Sequence, residues 1–169
     1  MSRELWLLRH AKSDRDLAVD DFDRPLKKRG KQDLARLSAW LLEHKLAPDY
    51  LVSSPANRAL STLKIVQEAL DLTSLNIVQD KRIYQESIER IKGVLADCPS
   101  DAKVVLLVGH NPELEHLLIN LVGINNLPDR DKLLPTSTLV RVTLPDDWSH
   151  LEADSATLLS IIYVKLLPK

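Results

Sequence analysis

The chain has 169 residues, enough for one domain with a real core and too few for two comfortable ones, so residues 1–169 are expected to form a single domain. Apolar residues make up 44% and charged residues 28%, the balance of a soluble globular protein, and a net charge of −1 gives no bulk attraction for nucleic acid or a membrane surface. Any anion site therefore has to be local. Cys98 is the single cysteine, which excludes an internal disulfide and favours a reducing compartment.

Apolar runs alternate with helix-period segments along the chain. Leu5 to Leu8 reads as a buried strand, preceded by no recognisable signal peptide. The charged stretch from Ser13 to Lys28 reads as a loop. Lys28 to Leu46 is helical in pattern, with Leu34, Leu37, Leu41 and Leu42 on one face. Tyr50 to Ser53 is a short strand after the Pro48 break, and Ala56 to Leu72 a second helix. Leu75 to Val78 is a further short strand, and Ser87 to Ala96 a third helix stopped by Pro99. Lys103 to Val108 has the continuous aliphatic composition of a strand buried on both faces. Glu113 to Val122 is a fourth helix, Gly123 to Pro135 an irregular surface loop, and Thr138 to Leu144 and Thr157 to Val164 are late strands. The most apolar tract, Leu158 to Leu167, contains Ser160 and Lys165 and is too short to span a bilayer, so a cytoplasmic protein is expected. The alternation predicts an α/β fold, a three-layer sandwich with a mostly parallel central sheet flanked by helices.

In open α/β sheets ligands sit beyond the carboxyl ends of the strands. Three strands deliver polar residues there. The first ends in Arg9-His10, the second in Ser53-Ser54-Pro55 with Arg58 close behind, and the Lys103–Val108 strand in Gly109-His110-Asn111-Pro112. Ser54-Pro55 and Asn111-Pro112 each pair a good N-cap with a residue suited to the first helical position. Each strand would then turn straight into a helix N-terminus, which suits an anion. Two arginines and two histidines on one sheet edge suit a dianionic phosphate, which guanidinium binds in a bidentate way. Singly, each of these residues has an ordinary reading as a surface cation, a hydrogen-bonded histidine or a helix start. Their convergence on equivalent strand ends is what favours a site.

These motifs resemble those of the histidine phosphatase superfamily, with its phosphoglycerate-mutase-like fold. The Arg-His-Gly motif is Arg9-His10-Ala11 here, the second runs from Ser54-Pro55 through Arg58-Ala59 to Thr62, and the third is Gly109-His110-Asn111-Pro112. The short chain, the Arg-His-Ala-Lys-Ser opening and Arg24-Pro25-Leu26 are most similar to the small phosphohistidine phosphatases of the SixA type. The resemblance implies that His10 is a nucleophile that becomes phosphorylated. It implies that Arg9, Arg58 and a protonated His110 bind the phosphoryl oxygens, with Asn111 and Ser13 as further substrate-binding candidates. No cofactor and no metal are called for. A backbone carbonyl can fix the tautomer of the attacking imidazole, and phosphoryl transfer asks chiefly for positioning and charge.

Two departures from the family pattern matter. Ala11 replaces glycine. Where many members carry a glutamate acid, this chain reads Arg82-Ile83-Tyr84-Gln85-Glu86, with Gln85 in the acid's place and Glu86 one residue off. An alkoxide leaving group needs such an acid, whereas imidazole, with a pKa near ~6.5, leaves more readily. The expected partner is therefore a protein carrying phosphohistidine, reached through a pocket with no lid-sized insertion. A small phosphate ester cleaved by a general phosphomonoesterase of the same fold is the alternative, and a non-catalytic phosphate-binding regulatory module is a more distant one.

Other polar clusters read as decoys. Glu113-Leu114-Glu115-His116 contains the Glu-x-x-His spacing of di-iron bundles but lacks the second copy such sites need, and is read as a solvated helix face. His44 and His150 read as surface residues. Asp20, Asp21 and Asp23 read as solvated charge that could border the pocket, and Lys12 as a residue that could touch substrate.

Overall fold

The first strand sets the layering. In β1 (Arg3–Arg9) Leu5 and Leu7 pack into one hydrophobic cluster while Trp6 and Leu8 pack into another. Alternate side chains of a strand face opposite ways, so β1 is covered on both sides. The computed structural model describes residues 3–145 and 147–168. The remaining elements are α1 (Lys28–Glu43), β2 (Tyr50–Ser53), α2 (Asn57–Ala69), β3 (Ile77–Gln79), α3 (Ile88–Ala96), β4 (Val104–Gly109), α4 (Glu113–Val122), β5 (Leu139–Leu144) and β6 (Thr157–Ile162). Short 3-10 turns lie at Asp21–Asp23, Lys81–Ile83, Ile124–Asn126 and Val164–Leu166.

The sheet order is β3-β2-β4-β1-β5-β6. The pairs β3-β2, β2-β4 and β4-β1 are parallel, and β5 runs antiparallel to both β1 and β6. One face carries α1 and α2, through Leu34, Leu37, Leu41, Leu63 and Val66 on Trp6, Leu8, Leu51 and Leu106. The other carries α3 and α4, through Ile91, Leu95, Leu114, Leu118 and Leu121 on Leu5, Leu7, Val105 and Leu107. The architecture is a three-layer, mostly parallel α/β sandwich, as the alternation predicts.

The chain places β4 between β1 and β2, so three strand ends expected to carry polar residues are immediate neighbours. Two details differ from the sequence reading. α2 begins at Asn57, one residue after the expected start, with Ala56 rather than Ser54 as its cap, and α4 begins at Glu113 as expected but with Pro112 rather than Asn111 as its cap. Ser54 accepts the Ala56 N–H ahead of the helix and also meets His110, and Asn111 turns to Leu134, so neither caps a helix.

Candidate active site

Register brings the two motif histidines side by side. Arg9 pairs with Gly109 across β1 and β4, and Ser53 with Val108 across β2 and β4. The His10 N–H continues the ladder to the Gly109 carbonyl at 3.1 Å, and the Ser54 N–H to the Val108 carbonyl at 3.0 Å. His10 and His110 therefore leave adjacent parallel strands at the same level. Their ring centroids are 5.2 Å apart, and both residues are buried.

His10 Nδ1 lies 2.8 Å from the Ala11 carbonyl. A carbonyl only accepts, so Nδ1 carries the proton and Nε2 keeps its lone pair, the arrangement a nucleophile needs. Burial, with the nearby His110, Arg58 and Arg9 charges, pushes the His10 pKa down to about 3 against a smaller opposing effect of the Ala11 bond, so the ring is neutral at pH 7. Several contacts hold this turn. The Ala11 N–H donates to Thr62 Oγ1 at 3.0 Å, and Thr62 donates to the Arg58 carbonyl at 2.7 Å. The Ser137 N–H donates to the Arg9 and His10 carbonyls. Gly30 of α1 lets that helix approach: a Cβ there would stand 2.5 Å from the Lys12 carbonyl oxygen.

His110 is held by Ser54, the two side chains meeting Nε2 to Oγ at 2.8 Å. Ser54 Oγ also accepts from the Ala56 N–H, and its own proton is free to turn to His110 Nε2, an arrangement in which the His110 proton lies on Nδ1. Burial first, then the Arg58 charge, pushes the His110 pKa down to about 4, with Asp21 opposing. Burial and Arg58 thus favour the neutral ring, and the protonated His110 that the resemblance implies needs the charge of a phosphoryl group to oppose them. The edge of Tyr84 approaches the His110 ring with centroids 5.5 Å apart.

Arg58 enters from the first turn of α2 and is buried. Its guanidinium donates to the Asp21 carbonyl at 2.6 Å and to Asp21 Oδ2 at 3.0 Å. Asp21 also accepts from Tyr84 Oη at 2.7 Å and from Arg24 at 2.9 Å. Tyr84's bond and then Arg58 hold the Asp21 carboxyl below the usual range, against the effect of burial. Arg24 in turn donates to Ser13 Oγ at 2.9 Å. On the far side, Arg9 Nη1 donates to the Leu134 carbonyl at 3.0 Å, and Asn111 Nδ2 donates to the same oxygen at 2.9 Å. Arg9 Nε, Arg58 Nε and His110 Nδ1 are buried and lack partners. Buried donors are usually satisfied, so these three nitrogens are available to an anionic ligand.

A sequence profile of the histidine phosphatase superfamily (branch 1) matches residues 5–84. Over nearly the whole chain the structure is similar to two candidate SixA phosphohistidine phosphatases. The one from Nakamurella multipartitia superimposes with a TM-score of 0.79 at 26% identity, covering 96% of each chain. The one from Agrobacterium tumefaciens gives 0.79 at 26% identity, covering 95% of this chain and 97% of that one. The chain belongs to the histidine phosphatase superfamily. It is also 31% identical over 132 residues to an uncharacterised chloroplast protein of Arabidopsis thaliana, covering 73% of this chain and 61% of that protein's length.

Within this histidine phosphatase the structure brings together Arg9, His10, Arg58 and His110. It ties Asn111 to Leu134, and leaves Ser13 engaged with Arg24 rather than with the histidine pair. Lys12 is exposed. Glu86 is exposed and lies 3.6 Å from Arg90, while Gln85 is exposed. His44 stacks on Trp40 and His150 meets Asp147, both exposed. Among the described residues no group of three or more histidines, cysteines or acids is placed to hold a metal ion. No helix among them is long and apolar enough to cross a membrane. Asp21 was expected as solvated charge that could border the pocket; it is exposed, and its carboxylate also pairs with Arg58. Asp21, Tyr84 and Leu134 had no local signal; only the fold brings them in.

Proposed function

We propose that this phosphatase removes the phosphoryl group from a protein-borne phosphohistidine through a covalent intermediate on His10. His10 Nε2 attacks phosphorus in line, the P–N bond to the substrate imidazole breaks, and that imidazole, protonated by solvent on its other nitrogen, departs neutral. Water then attacks the phosphorus on His10, inorganic phosphate leaves, and the His10 lone pair is restored. Arg9 and Arg58 supply fixed positive charge, and His110 Nδ1–H supplies a donor whose pKa rises as the dianion enters. On this reading the guanidinium charge does what a metal ion does in other phosphatases, and a chelator leaves the rate unchanged.

One observation carries the substrate choice. The carboxyl group whose charge acts on His110, that of Asp21, is held as a carboxylate, and Glu86 is exposed beside Arg90. Such a site has no carboxylic acid for an alkoxide, and a phosphoramidate does not need one. Turnover of a phosphohistidine protein should exceed that of 3-phosphoglycerate, and a labelled, acid-labile phosphoenzyme should be trapped. In His10→Ala both turnover and label should vanish, a loss of at least ~10³-fold. Faster turnover of the glycerate ester would falsify the substrate assignment. A label that survives in His10→Ala would overturn the nucleophile.

A further inference from the structure

The Glu115 side chain, on the helix face read as solvated from sequence, is not free. Its Oε1 accepts the Leu134 N–H at 3.1 Å. The carbonyl at the other end of that same peptide unit, Leu133 C=O, accepts from Tyr163 Oη at 2.9 Å. The peptide is clamped from α4 on one side and from the segment after β6 on the other. Leu134 is buried and is followed by Pro135, which restricts a preceding residue to extended backbone. Fixing the Leu134 N–H therefore also fixes the direction of its carbonyl, the oxygen that receives both Arg9 Nη1 and Asn111 Nδ2. Burial draws the Arg9 pKa down, and the Glu115 carboxylate opposes it while Arg15 and Arg58 add to it.

We propose that Glu115 is a positioning residue for Arg9, acting through the backbone of Leu134 to hold the guanidinium where it meets the phosphoryl group. The inference rests on the reading of Arg9 as a phosphoryl ligand. Without Glu115 the Leu134 N–H loses its acceptor, the carbonyl turns, and Arg9 loses a fixed anchor while keeping its charge.

The test is titration calorimetry of the full chain with inorganic phosphate, which needs no turnover, alongside thermal melting. Glu115→Ala should bind phosphate about tenfold more weakly, an effect of one lost hydrogen bond. Glu115→Gln keeps an acceptor oxygen and should stay within about threefold of the parent. In an Arg9→Ala background, Glu115→Ala should add no further loss, because the two act as one unit. Parent-like affinity in Glu115→Ala, or an equal further loss without Arg9, overturns the proposal. Undiminished phosphate binding in Arg9→Ala alone overturns the reading of Arg9 itself, and the proposal with it. Should Glu115→Ala fail to fold, Tyr163→Phe releases the same peptide from its other end. It should weaken phosphate binding in the same direction, and a parent-like value there overturns the clamp.

Discussion

Arg58 and Arg82 are both arginines held by aspartates, and they teach opposite things. Arg82 lies between Asp80 at 2.8 Å and Asp97 at 2.6 Å, donates through Nε as well, and is further stabilised in its charged form by both. It is partly exposed and carries no orphan nitrogen. Arg58 is nearly fully buried, has one carboxylate at 3.0 Å, and keeps a buried Nε without a partner. A saturated cation ties two segments together. A buried cation beside two imidazoles with a nitrogen still unpaired keeps a capacity to bind an anion that Arg82 has spent on its aspartates.

The largest effect that would test this contrast is on catalysis. Arg58→Ala should lower kcat/KM by about 10²–10³-fold, the scale of removing one preorganised donor to a developing anion. A steady-state profile giving less than tenfold would place Arg58 with Arg82 as a structural cation. The next effect is on stability against pH. His10 and His110 have folded pKa values of about 3 and about 4, below the unfolded value near ~6.5. The unfolded chain therefore takes up protons first, so this stability is fully present above about pH 6.5 and is lost as pH falls towards the folded values. Each histidine contributes up to ~1.4 kcal/mol per pH unit, so urea unfolding at pH 5 should give a stability on the order of 2–4 kcal/mol below that at pH 7.5. His110→Asn should roughly halve that slope, and an unchanged slope would mean the rings are charged when folded. Arg82→Ala comes third: about 1 kcal/mol or less in stability, because its ion pairs are partly exposed, with turnover within about twofold of the parent.

The same contrast explains what could be read from the sequence. β1 and β4 were legible because continuous aliphatic runs end abruptly in Arg9-His10 and Gly109-His110, and period and polarity change at one point. The α/β pattern put their ends on one edge of the sheet, and the fold added that β4 lies between β1 and β2, which makes the three carboxyl ends immediate neighbours. The Ser54 and Asn111 caps were misread for a physical reason. Short polar side chains suit a helix start, but Ser54 takes His110 and Asn111 takes Leu134, and α2 begins two residues after Pro55 and α4 one residue after Pro112, the residues suited to a first helical position. Asp21 and Tyr84 are separated by 63 positions, and nothing local in an acidic loop or after a 3-10 turn announces that the Tyr84 hydroxyl donates to the Asp21 carboxylate. Saturation of charge is a property of the folded surroundings, so Arg58 and Arg82 look alike until their partners are known.

The smallest expected effect falls on Glu86. The family pattern makes it the residue nearest in sequence to the acid, and its removal is the sharpest check on whether an acid operates. Its carboxylate is 43% exposed and 3.6 Å from Arg90, a surface pair worth a few tenths of a kcal/mol. Glu86→Gln should therefore leave kcat for a phosphohistidine protein within about twofold of the parent and should not move the alkaline limb of the pH–rate profile. If Glu86 swings in to protonate the leaving group, the variant would lose about 10²-fold or more on an alkyl phosphate and far less on an aryl phosphate, whose phenolate leaves unaided. Equal, small changes on both esters would leave the pocket as its static geometry suggests: two neutral imidazoles, unsaturated guanidinium charge, and a leaving group that has to depart without help from a protein carboxylic acid.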